Sequence, residues 1–351
     1  GRKWQFVASE TRTPKFVVCN ADESEPGTFK DRQILADLPH LVIEGMALAG
    51  FAVGSARGIL FIRHEYELER RRFETALTAA REAGALGQGI FGSDFDFDIE
   101  VFVSPGGYIL GEESALLECI EGRRGEPRNK PPFPGSVGLY GQPTLINNVE
   151  TFAHASAILL RGAEWWLELG RDGFSGHKFI SVSGDVREPG VVLVPMGTPL
   201  GDLLERCGGM RNGTTLAAIA PGGASSNFLS PEHLGTPLDF DALAEAGSML
   251  GSGAVIFVGD DFPLLAAGTN VAAFFRNESC GKCVPCRVGT EKALKILEGK
   301  QSLSPSDQAL IRELDDTLRR TSICGLGQVA LAPLVSILDR FPTASRPPED
   351  S

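Results

Sequence analysis

The sequence predicts an α/β protein in three parts: an α/β layer over residues 1–175, a small α+β unit over 176–260 and a helical bundle over 261–345, followed by a disordered tail at 346–351. Three observations predict this. Up to about residue 170, apolar runs of strand length alternate with longer runs of helical period. Between about His177 and Gly259, short strands surround one short helix, and from Phe262 to about Phe341 the pattern is helical throughout, with short connections of the kind that join antiparallel neighbours.

Taken in order, FVVC, GILFI and FDIEVFV read as strands, and PHLVIEGMALAGFAV, EYELERRRFETALTAAREAG and EESALLECIEG as helices. RNKPPFPGSVGLYGQPT is rich in proline and glycine and reads as an irregular loop, a length that inside a compact domain usually serves function. NNVETFAHASAILLRGAEWWLELG then reads as one helix. In the second part KFISVSG, GVVLVP, LAAIAPGG and GAVIFVG read as strands around the helix PLGDLLERCGG. The third part supplies FPLLAAGTNVAAFFRNESC, GTEKALKILEGK, SPSDQALIRELDDTLRRTS and GQVALAPLVSILDRF as successive helices, and TASRPPEDS reads as disordered.

Composition narrows the function classes. A net charge of -12 argues against nucleic acid or an anionic membrane as the main partner. No apolar stretch reaches the ~18 residues of a membrane span; LVIEGMALAGFAVG is shorter, carries Glu44 and reads as a buried helix. Seven cysteines, an odd number, without a signal-peptide pattern speak against a disulfide scaffold and for a reducing compartment. The 42 glycines exceed ordinary usage and point to loops that approach a ligand closely. Hydrolase and NTPase signatures, G-x-S-x-G and the P-loop, do not occur.

The chemistry is concentrated in ESCGKCVPCRVGT, where Cys280, Cys283 and Cys286 recur every three residues, and in SICGLG, where Cys324 stands between two expected helices. A disulfide uses two of these thiols, whereas a [4Fe-4S] cluster uses four, and C-x-x-C-x-x-C plus a remote cysteine is one way to supply them. A four-cysteine zinc site, which normally comes as two C-x-x-C pairs, and unliganded thiols remain the alternatives. Cys19, Cys119 and Cys207 sit alone in apolar surroundings and read as buried packing residues.

CNADESEPGTFKDR, GYILGEESALLECIEGRRGEPRNKPPFPG, TLINNVET and the two cysteine segments span nearly the whole chain in this order. Together they resemble the flavin-containing NADH-binding subunit of respiratory complex I and the diaphorase subunits of NAD-dependent formate dehydrogenases and bidirectional hydrogenases. The resemblance implies an FMN- and NADH-binding α/β domain, a β-grasp domain of ubiquitin type, and a bundle holding one [4Fe-4S] cluster on Cys280, Cys283, Cys286 and Cys324. For flavin it implies contacts from Lys3, Asn20, Asp22, Glu25, Tyr108, Gly111, Glu112, Glu113, Asn147 and Asn148. For NAD(H) it implies Phe6 as a stacking aromatic, with Glu25, Glu113, Lys130 and Phe133 lining the site. Of the family's glycine-rich stretch ending in G-x-K-W only Gly1-Arg2-Lys3-Trp4 is present, and the expectation is that the native protein continues before Gly1.

The implied reaction is hydride exchange between NADH and FMN followed by single-electron transfer to the cluster, with no general acid or base. A soluble NAD-dependent formate dehydrogenase is the preferred parent complex. Complex I, a bidirectional hydrogenase, and a non-catalytic iron–sulfur electron-transfer or assembly module are the alternatives, with a zinc-stabilised interaction domain behind them. Implied partners are a thioredoxin-like [2Fe-2S] subunit and a larger iron–sulfur subunit, molybdenum-containing in a formate dehydrogenase. The implied location is cytoplasmic, or the cytoplasmic or matrix face of a membrane complex, without direct membrane insertion.

Read without the resemblance, each site has a plainer account. DESEPGT is a solvated acidic turn, although its place just after a strand favours a ligand site. Glu112 and Glu113 suit a helix N-terminus, where the backbone dipole favours carboxylates. Lys130 and Phe133 are ordinary loop residues, and ERRR at 69–72 is the solvated face of a helix.

Overall fold

Four short runs of β-branched and aromatic residues build the first sheet: β1 (Phe16–Ala21), β2 (Arg57–Arg63), β3 (Asp98–Ser104) and β4 (Thr144–Asn148). All pairings are parallel, in the order β3-β2-β1-β4, and Asn20 lies level with Phe61 on one side and Asn148 on the other. A parallel sheet must be covered on both faces, which fits the complete burial of Val17, Val18 and Cys19. Phe16, Val18, Ile59, Phe61 and Ile146 point to one face and pack on Leu116 and Leu117 of α5 (Glu113–Ile120). The computed structural model describes residues 1–341, so the tail expected at 346–351 lies outside the described residues. These residues form two compact units, residues 1–24 with 29–166 and residues 25–28 with the chain from 167 onward.

The remaining elements of the first unit are α1 (Arg2–Ser9), α2 (Lys30–Asp37), α3 (Pro39–Val53), α4 (Glu67–Glu82) and α6 (Val149–Arg161). Helix α3 starts with Pro39 at its first position and stops at Gly54, which adopts the left-handed conformation (φ 74°) that most side chains resist. It packs against α6 so tightly that a Cβ on Gly45 would lie 2.0 Å from the Phe152 carbonyl oxygen. No single helix among the described residues is long and apolar enough to cross a membrane.

Several expectations need correction here. TLINN is a fourth strand, so Asn147 and Asn148 end β4 instead of opening a long helix; Asn148 caps α6, accepting from the Glu150 amide. That helix breaks at Gly162 (φ 93°), after which α7 (Ala163–Glu168) buries nothing. Helices α1 and α2, eight residues each, were not read from the sequence. Within ERRR, Glu69 is buried on the inner face of α4, and Cys119 is only half-buried, unlike Cys19 and Cys207.

The second unit carries a mixed four-stranded sheet of β5 (His177–Gly184), β6 (Gly190–Pro195), β7 (Leu216–Ala220) and β8 (Ala254–Gly259), in the order β6-β5-β8-β7 with only β5 and β8 parallel. Helix α8 (Leu200–Arg206) covers one face through Leu200, Leu203 and Leu204, the β-grasp arrangement. A second short helix, α9 (Phe240–Glu245), capped by Asp239, was not apparent in the sequence.

The later helices of this unit are α10 (Leu264–Asn277), α11 (Val284–Leu297), α12 (Pro305–Thr321), α13 (Gly325–Val329) and α14 (Ala332–Arg340). A reciprocal cap of Ser304 and Asp307 with Pro305 at the first position fixes the start of α12. GQVALAPLVSILDRF, expected as one helix, is two, because Pro333 starts a new first turn. Ile337 of α14 packs with Ala218, Ala220, Phe228 and Val258, and Ser336 accepts from the Phe228 amide at 2.8 Å, so sheet and helices share a core.

Candidate functional site

Open α/β sheets bind ligands at the carboxyl ends of their strands, and in the first unit the polar residues singled out by sequence collect at that edge. Asn20 donates through Nδ2 to the Gly111 carbonyl (2.8 Å) and accepts at Oδ1 from the Asp22 amide (3.1 Å), tying the acidic turn to the GYILGEE loop. Asp22 is buried; it accepts from Ser104 at the end of β3 (2.6 Å) and from Ser24. Burial pushes its carboxyl up and the two hydroxyls pull it back. Gly111 leaves room beside this turn, since a Cβ would lie 3.2 Å from the Asp22 carbonyl oxygen. Tyr108 opens the short 3₁₀ turn Tyr108–Gly111 and is half-buried.

The next residues form an alternating row of charges. Glu112 caps α5 with one oxygen, accepting from the Ser114 (3.0 Å) and Ala115 (2.9 Å) amides, which agrees with the helix-terminus reading, while its other oxygen accepts from Lys130 at 2.7 Å. Lys130 also reaches Glu113 at 2.9 Å, and Lys3 holds the second Glu113 oxygen at 3.1 Å. Burial alone would raise the Glu113 carboxyl, but the two ammonium groups hold it below the usual range. Phe6 and Phe133 are both about half exposed, and with Lys3, Glu113 and Gly135 they line a cleft of about 290 Å³. The Phe6 ring lies on Gly135, where a Cβ would meet it at 2.5 Å.

Three predicted residues are engaged elsewhere. Asn147 accepts from the Trp4 indole at 2.8 Å. Asn148 faces inward: its Oδ1 accepts from Lys30 (3.2 Å) and from the Glu150 amide (2.9 Å), and its Nδ2 donates to Asp31 (2.5 Å). Glu25 belongs to the second unit, where it is buried and accepts from the Ser225 amide at 2.8 Å.

Sequence reasoning missed the buried network behind Asn148. Lys30, 3% exposed, pairs with Asp31 (2.6 Å) and Glu150 (3.2 Å), and these carboxylates raise its affinity for its proton against the effect of burial. Beside it, buried Glu23 accepts from the Asp31 (2.9 Å) and Arg32 (3.2 Å) amides and from the Tyr66 hydroxyl (3.0 Å). Its carboxyl is pushed up to about 7, first by burial and then by Asp31. In FKDR these charges look like solvated residues ahead of a helix, and only their pairing across more than a hundred residues marks them as buried.

In the second unit Cys280 lies in the connection before α11, Cys283 is the residue that precedes the helix, and Cys286 falls in its first turn. Cys324 precedes α13. None of the seven cysteines is joined in a disulfide. Cys286 is buried, and its thiol is pushed up to about 11 by burial first and then by Cys283, Cys324 and Cys280, so all three neighbours act on it; Ser279, 3.2 Å from its Sγ, pulls it back. Gly327 lets the two cysteine segments approach: a Cβ there would lie 3.1 Å from Cys286 Cβ and 2.7 Å from Ser322 Oγ.

These surroundings fit the groups that the sequence implied. Four thiols with two nearby hydroxyls suit a [4Fe-4S] cluster, whose bulk separates its ligands. Among the described residues no group of three or more His, Cys, Asp or Glu side chains is arranged to hold a single metal ion. The Ser322 hydroxyl, buried without a hydrogen-bond partner, is the orphan that an inorganic or cysteinyl sulfur would satisfy. At the sheet edge, amide, carboxylate and ammonium groups around a cleft with aromatic walls suit a flavin and a nicotinamide nucleotide.

Comparison with known proteins gives the same picture. Residues 1–157 match the Nuo51 FMN-binding domain, residues 179–227 the SLBB domain, and residues 266–346 the NADH-ubiquinone oxidoreductase-F iron-sulfur binding region. The chain is 42% identical over 344 residues to an NADH-quinone oxidoreductase subunit of Rhizobium meliloti, covering 97% of this chain and 82% of that protein. It is 39% identical to the NADP-reducing hydrogenase subunit HndC of Solidesulfovibrio fructosivorans, covering 97% and 70%. The crystal structure of an NAD+-reducing [NiFe]-hydrogenase in the H2-reduced state superposes with a TM-score of 0.89 at 36% identity; the match covers 99% of this chain but spans only 59% of that chain. The chain belongs to the family of the flavin- and iron–sulfur-binding subunits of NADH-quinone oxidoreductase and their hydrogenase-associated homologues.

Proposed function

We propose that this chain is the diaphorase subunit of a larger complex, exchanging hydride reversibly between NAD(H) and FMN and passing electrons singly to a [4Fe-4S] cluster held by Cys280, Cys283, Cys286 and Cys324. When bound, FMN supplies the conversion between two-electron and one-electron chemistry, and the cluster accepts the electrons one at a time. The protein's task is alignment. Asn20 and Asp22 offer fixed hydrogen-bonding groups with Gly111 between them, and the Glu112–Lys130–Glu113–Lys3 row presents charges that pair with one another until a ribose or phosphate displaces them. Phe6 and Phe133 are the ring-stacking residues, and no side chain needs to move a proton.

The observation that carries this reading is the clustering of Asn20, Asp22, Gly111, Glu112, Glu113, Lys130 and Lys3 at the carboxyl edge of a parallel sheet, in a chain that also brings four cysteines into one neighbourhood. The test is anaerobic addition of NADH to the protein loaded with FMN. Bleaching of the flavin absorbance is the expected result. Unbleached flavin would instead favour an iron–sulfur module without nucleotide binding.

The finer assignments rest on sequence resemblance. We place the parent complex as a soluble NAD-dependent formate dehydrogenase, with a thioredoxin-like [2Fe-2S] subunit and a larger molybdenum- and iron–sulfur-containing subunit as partners, in the cytoplasm. The relatives named above serve quinone reduction and hydrogen metabolism, so copurification decides: a molybdenum subunit supports this parent, and a nickel–iron subunit or a membrane arm replaces it. For the chain itself we propose domain boundaries at 1–175, 176–260 and 261–345.

A further inference from the structure

Two hydroxyls at the cysteine centre have no role in the ligand set. Ser279 Oγ lies 3.2 Å from Cys286 Sγ, a contact in which either group can donate, and accepts from the Gly281 amide at 3.3 Å, which leaves its own proton free for sulfur. A cysteine that ligates iron is a thiolate and has no proton to give, which leaves Ser279 as the donor. Ser322 reaches the same neighbourhood from the other segment. Its amide donates to the Leu318 carbonyl and its carbonyl accepts from Gln328, so its backbone is satisfied. Ser322 is 5% exposed as a residue; its buried hydroxyl lacks a partner and abuts the same point beside Gly327 as Cys286 Cβ does.

We propose that Ser279 and Ser322 donate hydrogen bonds to sulfur atoms of the bound cluster and set its reduction potential. The inference rests on the iron–sulfur reading above and deepens it. Reduction adds negative charge to a cluster already surrounded by thiolates, and a hydrogen bond donated to sulfur stabilises the more negative form more. Hydrogen bonds to the sulfurs are among the factors that place such clusters on the potential scale. The two serines come from different segments, one preceding α11 and one following α12, and both lie beside Cys286, so the double variant measures how far their effects couple. Neither touches NADH or flavin in this reading; both are positioning residues of the electron-accepting centre.

The experiment is an EPR-monitored redox titration of the anaerobically purified holoprotein, wild type against Ser279→Ala, Ser322→Ala and the double variant, with iron counted in each. The expected result is about four irons per chain with an unchanged line shape and a lower midpoint in both single variants. For Ser279→Ala the reduction equilibrium should fall about tenfold, roughly 59 mV for one electron. The double variant falls further, and Ser279→Thr and Ser322→Thr, which keep the hydroxyl, return toward the wild-type value. Fully loaded alanine variants with the wild-type midpoint overturn the proposal. Should an alanine variant lose iron, deuterium exchange in the wild-type protein followed by ENDOR replaces it: exchangeable protons coupled to the cluster support the proposal, and their absence overturns it. A wild-type chain without a four-iron signal overturns the cluster reading itself and this inference with it, a different outcome from a loaded cluster with an unmoved midpoint.

Discussion

The sheet edge of the first unit and the cysteine centre of the second are built from opposite materials. At the sheet edge full charges are held in place by opposite charges: Lys3 and Lys130 on Glu113, and, deeper, Lys30 on Asp31 and Glu150. At the cysteine centre the groups are thiols and hydroxyls, brought together by a missing side chain at Gly327. The Lys3–Glu113 and Lys30–Glu150 pairs join points more than a hundred residues apart, whereas the four cysteines fall within 280–324. The first site therefore depends on the whole sheet being assembled, and the second on one local arrangement of helices.

The sharpest way to break this contrast is Cys324→Ser. Removing the remote thiolate should lower iron below about four per chain, because the cluster is held by four cysteines, while flavin binding in the other unit persists. Iron assay together with flavin content checks both halves. Retention of full iron would place the fourth ligand elsewhere.

The corresponding break at the sheet edge is Lys30→Met, which leaves Asp31 and Glu150 buried without their cation. Removing one partner of a buried ion pair costs about 3–5 kcal/mol. Chemical denaturation should show this loss, to which the broken Lys30–Asn148 hydrogen bond adds. By contrast, removing Arg71 from its exposed pair with Glu67 should change stability by no more than about 0.5 kcal/mol.

A smaller effect tests the close approach at the cysteines. Gly327→Ala pushes a methyl group against Ser322 Oγ and Cys286 Cβ, and overpacking of this kind costs about 1–3 kcal/mol. Iron loading should drop partially, and the iron that remains should show an altered midpoint, because Ser322 is displaced. An unchanged midpoint at full loading would mean that the two segments do not meet as tightly as described.

This contrast also governs what could be read from the sequence. Cys280, Cys283 and Cys286 announce themselves because their meaning lies in spacing, and strands β1 to β3 because of their apolar runs, unbroken in FVVC and GILFI and interrupted only by acidic residues in FDIEVFV. Strand β4 escaped because TLINN is five residues long and ends in two asparagines, and its strand character comes from pairing with β1. Lys30, Asp31 and Glu150 escaped for a related reason: charged residues are read as exposed until a partner distant in sequence is known. Ser322 carries no sequence signal as a site residue, since its meaning lies in a hydroxyl left without an acceptor.

The finest test uses pH. The Glu23 carboxyl sits at about 7 in the folded chain against an ordinary value of 4.5, because burial and the neighbouring Asp31 disfavour its charge more than its hydrogen bonds favour it. Between those two values the folded protein holds a proton that the unfolded chain releases. Stability then falls as pH rises through that window, is constant in this contribution below it, and carries the full cost above it. Glu23→Gln keeps an acceptor for the Asp31 amide and removes the titration, so its stability should change less between about pH 5 and about pH 8 than that of the wild type. Denaturation curves of both proteins at the two pH values give the difference of slopes, which also senses Lys30: with Lys30→Met in the background the Glu23 carboxyl loses a nearby cation and the wild-type slope should steepen. Equal slopes in wild type and Glu23→Gln would mean that Glu23 titrates as an ordinary solvated carboxylate, and the buried charge network would then extend no further than Lys30, Asp31 and Glu150.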